Sequence, residues 1–154
     1  MSYQKTQILK IDEITGGPVV DQNLETTLKG VFACGNCLQV YDTVDMLSLD
    51  AKRAGKNAAK YTTTQKSKDS IELVPAKGVR HIVPQKVNEA GTVHLTLRAG
   101  KPRKKSTLRV ITNGKELLKK KLPWVNPANM IKVDVDISSE VVKSGQGLEV
   151  MIDD

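Results

Sequence analysis

The hydrophobic repeat of this chain changes once, near residue 62, and that change limits the folds open to it. From Val44 to Lys60 the apolar and small side chains recur at helical spacing, with Val44, Leu47, Ala51, Ala54, Gly55 and Ala58 on one face. Past residue 70 the repeat is two. Val93, Leu95 and Leu97 alternate with His94, Thr96 and Arg98, and Ile131, Val133, Val135 and Ile137 alternate with Lys132, Asp134 and Asp136. A helical repeat and a strand repeat bury different faces, so one layer cannot satisfy both. The expected fold class is α+β, with a fragment at 1–61, a polar linker at 62–70 and a β module at 71–154. Charge breaks at the same place. Residues 1–61 hold 7 Lys/Arg and 7 Asp/Glu, whereas residues 62–154 hold 17 and 10 and supply the whole net charge of +7.

Within the first module, Gln7 to Ile11 reads as a short strand, Thr15-Gly16-Gly17-Pro18 as a turn and Val19-Val20 as extended. Val31 to Cys34 is an unalternated apolar run, the pattern of a strand buried on both faces. Gly35 ends it. Asp42 or Thr43 is placed to cap the helix that starts at Val44, and Asp45 suits the positive end of its dipole.

In the second module, Val79 to Val87 is extended around Pro84, Gly100 to Lys105 is a basic loop, and Leu148 to Ile152 is a last strand. Asn113-Gly114 between Thr107–Thr112 and Lys115–Leu122 is a strong hairpin signal. About six strands without a helical pattern between them predict a small antiparallel β-sandwich of immunoglobulin-like type. Aromatics make up only 3% of the chain, so the core must be aliphatic. There is no run of about 18 apolar residues to span a membrane, and Met1 to Lys5 opens no apolar leader, which makes a cytoplasmic location the default.

The first module also carries a motif. Gly16-Gly17-Pro18-Val19-Val20-Asp21, then Thr26-Thr27-Leu28-Lys29-Gly30-Val31-Phe32-Ala33-Cys34-Gly35-Asn36, then a helix with Ala54-Gly55-Lys56-Asn57-Ala58-Ala59, resembles the second flavin-binding motif of the FAD-dependent pyridine nucleotide-disulfide oxidoreductases. The resemblance spans roughly residues 15–60. Within that family it is nearest to a bacterial subgroup with Cys-Gly-Asn at this point and a basic β-rich tail. It implies that Asn36, standing where the family has an acidic residue, hydrogen-bonds a ribityl hydroxyl of FAD. It implies that Gly35 lets the backbone approach the ribityl-phosphate region. The helix start at Val44 and Asp45 would face the pyrimidine side of the isoalloxazine. The Gly-x-Gly-x-x-Gly fingerprints that cradle the FAD pyrophosphate and bind NAD(P)H are not in this sequence. The implied role is therefore a C-terminal portion or subunit of such an enzyme, inactive by itself. Its partner would be the polypeptide supplying the FAD/NAD(P) domain, or a second copy covering the apolar helix face.

Other features admit more than one reading. Cys34 and Cys37 have Cys-x-x-Cys spacing, but Cys34 ends a strand. They are packing thiols, a flavin-adjacent redox pair or, without further ligands, a poor metal site. His81 and His94 read as solvent-exposed, with no constellation for hydrolysis. Lys101-Pro102-Arg103-Lys104-Lys105 and Lys119-Lys120-Lys121 read as a solvated loop and an edge strand guarded against aggregation. The alternative is a non-catalytic module whose basic surface takes an acidic partner or nucleic acid. Trp124 lies beside the second run, but with Pro123 and Pro127 around it core packing at a strand end is expected. The aromatic interleaving of RNA-binding surfaces is missing, which counts against nucleic acid.

Overall fold

The computed structural model describes residues 8–61 and 68–154. The chain divides into two compact units, Met1–Thr62 and Thr63–Asp154. Gln7 and residues 62–67 of the expected linker lie outside the described residues.

The first unit is a chain of tight turns followed by a helix. Its extended segments touch through single bridges, Ile11 with Pro18, Val20 with Thr26 and Glu25 with Phe32. Short polar side chains hold the turns. Asp12 accepts from the backbone N–H of Ile14 at 3.0 Å and from the Thr15 hydroxyl at 3.2 Å. Buried Asp21 accepts from the N–H groups of Asn23 and Glu25 at 2.8 and 3.1 Å. Buried Glu25 accepts from the Gly30 N–H at 2.9 Å. Gly17 does more than turn the chain. A Cβ there would stand 2.1 Å from the Leu38 carbonyl oxygen, so only glycine allows the two backbones to meet.

Helix α1 spans Val44–Ala59, as the spacing predicts, and Thr43 caps it by accepting from the Met46 N–H at 3.4 Å. The expected buried face is a correction. Val44 is 76% exposed, and Gly55 and Ala58 are exposed as well. The buried residues of α1 are Asp50 and Ala54, with Leu47, Ala51, Arg53 and Asn57 half-buried around them. Polar bonds turned the helix: Asn57 donates to the Asn23 carbonyl at 3.0 Å, and Asp50 binds Tyr41. Small side chains offer too little apolar area to oppose such bonds.

The expected doubly buried strand at Val31–Cys34 is also corrected. Only Phe32 makes a bridge, and Val31 is 45% exposed. A strand buried on both faces needs layers packed above and below it, and this segment bonds only along one edge, to Leu24 and Thr26.

The second unit is two sheets around one aliphatic core. Strands β1 (Ile71–Pro75), β2 (Val79–Val83), β3 (Lys86–Val87), β4 (Gly91–Ala99), β5 (Arg103–Thr112), β6 (Lys115–Val125) and β7 (Ile131–Ile137) precede helix α2 (Ser139–Ser144) and strand β8 (Leu148–Asp153). The five-stranded sheet runs β3-β1-β8-β5-β6 and the three-stranded sheet β2-β4-β7. Leu95, Leu97, Val133 and Val135 of one sheet and Leu108, Val110, Val150 and Ile152 of the other belong to the same buried cluster. The alternating residues of each strand thus fill a shared interior.

Three expectations change here. The pairing is antiparallel except between β1 and β8, which are parallel. The rest of the module lies between these two strands, so no tight turn forces them antiparallel. Arg103 to Lys105 belong to β5 rather than to a loop, because β6 continues through Trp124 to Val125, which pair with Lys104 and Arg103. The six-residue α2, capped by Ser138 and ended by Gly145 at φ +68°, was not expected because six residues carry no readable helical repeat.

Candidate functional site

The Gly30–Asn36 segment ends on a corner. Cys34 is still extended, with φ −153° and ψ 170°, and Gly35 then takes φ +74° and opens a 3-10 turn over Gly35–Cys37. The Gly35 carbonyl accepts from the N–H groups of Leu38 at 2.9 Å and Gln39 at 3.3 Å, which locks the turn. No atom lies within 4 Å of the place a Gly35 Cβ would occupy. The left-handed φ and the open space together leave the backbone bare on one side. Asn36 is exposed, and its amide has no hydrogen-bond partner among the described residues. The turn lies in contact with α1. Val44 and Asp45, in the first turn of α1, are both exposed.

Of the four predicted residues, Asn36, Val44 and Asp45 are exposed and Gly35 is half-buried. They present a glycine corner, an exposed carboxamide and a solvent-facing helix start. No phosphate cradle accompanies them in the sequence.

Behind the turn is a polar network that sequence reasoning missed. The Tyr41 hydroxyl donates to Asp50 Oδ2 at 2.6 Å, and Arg53 Nη2 donates to Asp50 Oδ1 at 2.9 Å. Gln39, which is buried, hydrogen-bonds the same tyrosine. Burial, followed by the bond to Asp50, pushes the Tyr41 phenol well above its ordinary range. The one signal available was the Asp50/Arg53 spacing on α1, and it does not say which face turns inward.

The two cysteines are free thiols, Cys34 half-buried and Cys37 exposed. Cys37 Sγ donates to the Cys34 carbonyl at 3.0 Å. Burial above all, then Cys37 and Asp50, raises the Cys34 pKa, so its thiolate is disfavoured at neutral pH. Among the described residues no group of three or more His, Cys, Asp or Glu side chains could hold a metal ion.

In the second unit the histidine reading is corrected. His81 is buried, while His94 is exposed and its Nδ1 lies 2.6 Å from Oδ1 of its cross-strand partner Asp134. Trp124 is corrected too, since it is 50% exposed rather than packed. A hollow of about 430 Å³ is lined by Val74, Ile111, Asn113, Gly114, Gln146, Gly147 and Glu149, of which the sequence marked only Asn113 and Gly114, as a hairpin turn. No helix among the described residues is long and apolar enough to cross a membrane.

No family model matches the chain, and no curated protein and no solved structure matches it either.

Proposed function

We propose that this chain supplies the ribityl- and pyrimidine-side contacts of an FAD site in a pyridine-nucleotide oxidoreductase. A polypeptide stretch bearing Gly-x-Gly-x-x-Gly, joined to it or separate, supplies the pyrophosphate cradle and the NAD(P) site. The observation that carries this reading is the exposure of the first unit's aliphatic side chains. Ile8, Ile11, Ile14, Val31, Val40, Val44 and Leu49 are all between 45% and 76% exposed. A unit that leaves such residues in water beside a bare glycine corner has the surface of a part completed by another polypeptide.

In this reading Gly35 gives the ligand backbone access, and the Asn36 carboxamide orients a hydroxyl. The N–H groups at the start of α1 stabilise negative charge on the ring. Bound FAD would supply hydride acceptance and donation; this chain's residues hold and orient it. Residues 71–154 are read more finely as an immunoglobulin-like sandwich, on the strength of two sheets sharing one core. A second copy in place of a different partner is the variant reading, and light scattering that finds a clean monomer at high concentration counts against it.

The test is reconstitution. The chain is mixed with the polypeptide from its genomic neighbourhood that carries Gly-x-Gly-x-x-Gly, and flavin absorbance is followed through gel filtration. Flavin should stay with the mixture and not with this chain alone. Asn36→Ala should weaken retention about 3- to 10-fold, the range of one hydrogen bond. A mixture without flavin, or an Asn36→Ala mixture that keeps it as well as wild type, defeats the proposal.

A further inference from the structure

The β5–β6 ribbon concentrates charge more than any other part of the molecule. Residues 101–125 carry nine Lys/Arg side chains and a single carboxylate, Glu116. The two arginines are engaged: Arg103 pairs with Asp154, and Arg109 with Glu116 and Asp153. The lysines, Lys101, Lys104, Lys105, Lys115, Lys119, Lys120 and Lys121, are all exposed, and none has an ion-pair partner among the described residues. Strand β6 is the edge of its sheet. Lys119 and Lys121 lie opposite Arg109 and Thr107, on the face away from the core, while Lys120 lies opposite buried Leu108. At the far end of the ribbon, Trp124 is the direct cross-strand partner of Lys104.

Defence of an edge strand accounts for some of this. Lys120 at an inward register position and Pro123 without an N–H both stop another strand from adding to β6. It does not account for Trp124, because an edge built to repel partners gains nothing from a half-exposed indole. The same two features also argue about the partner. Strand addition by a peptide is blocked, and a folded protein interface wants an apolar centre with few lysines. The ribbon offers rows of unpaired ammonium groups and one flat aromatic face. A flexible polyanion with π-faces matches that pairing.

We propose that the β5–β6 ribbon binds single-stranded nucleic acid around the free edge of β6, with Lys119 and Lys121 on phosphates at the face away from the core, and Lys104 on a phosphate beside a base stacked on Trp124 at the ribbon's far end. The flavin reading is not needed for this and does not depend on it. Trp124 is the only tryptophan of the chain, so its emission reports the site directly.

The whole chain is titrated with a fluorescein-labelled thymidine oligomer of roughly 15 nucleotides, with polyglutamate of similar charge as the control. Expected is a dissociation constant of about 1–100 μM, in the range of non-specific binding, with quenching of Trp124 emission by the unlabelled oligomer. Lys119→Gln with Lys121→Gln should lower the slope of log affinity against log salt by about 1.4, at roughly 0.7 per phosphate contact. Trp124→Leu should weaken binding about fivefold or more and leave that slope unchanged. These positions are exposed, and an unchanged thermal midpoint verifies that each variant is folded. Failure to bind at low salt overturns the proposal. Equal binding and equal quenching by polyglutamate overturns it in favour of an acidic protein. Lysine variants that bind like wild type overturn it by moving the contact elsewhere.

Discussion

Replacing Asp50 with alanine tests why α1 turns the face it does. Asp50 is 8% exposed, and its two oxygens hold the Tyr41 hydroxyl at 2.6 Å and the Arg53 guanidinium at 2.9 Å. The Arg53 pair spans one turn, and its arginine is 29% exposed, so it contributes about 0.3–0.5 kcal/mol. The Tyr41 bond goes to a carboxylate in a partly buried setting and contributes about 1.5–3 kcal/mol. Asp50→Ala should therefore cost the first unit about 2–3 kcal/mol. Tyr41→Phe, which leaves Asp50 its arginine, should cost about 1–2 kcal/mol. The double variant should cost little more than Asp50→Ala, because the hydroxyl has already lost its acceptor. Native-state hydrogen exchange of the α1 amides is the assay, and opening should speed up by a factor of roughly 30 or more in Asp50→Ala. If α1 protection in Asp50→Ala stays within twofold of wild type, or the two single losses simply add, the polar network is not what orients the helix.

Further outcomes follow from the same geometry. Gly17→Ala should destabilise the first unit by about 3 kcal/mol or more, seen as lost α1 protection, because the new methyl meets backbone oxygens that cannot step aside. Ser106 is 1% exposed and its hydroxyl has no hydrogen-bond partner among the described residues, so Ser106→Ala should stabilise the β module by about 1 kcal/mol and raise its calorimetric midpoint by a few degrees. The Tyr41 phenol has a raised folded-state pKa, so its contribution is complete below the unfolded value near 10 and falls as pH rises above that value. Denaturant unfolding between pH 9 and 11.5 should show an alkaline loss in wild type that is smaller in Tyr41→Phe.

Much of the architecture was legible in the residues. The helix start at Thr43, the alternation in β4 and β7 and the Asn113-Gly114 hairpin are local signals, each set within a few residues by backbone preference or by the period of burial. The Gly35 corner and the capped start of α1 were legible in the same way, because neither needs a distant partner. What only the tertiary structure decided concerns which side of each element met something else. The small residues of α1 looked like its packing face, but the acceptor offered to Tyr41 turned Asp50 inward. Val31 looked buried and is open, since burial on two faces depends on neighbours the local sequence does not contain. The parallel meeting of β1 and β8 joins the two ends of the module, and no short window of sequence holds both. Trp124 carries the same lesson outward. Its neighbours suggested a packed strand end, yet β6 runs on as an edge, and an edge leaves the indole in water beside Lys104.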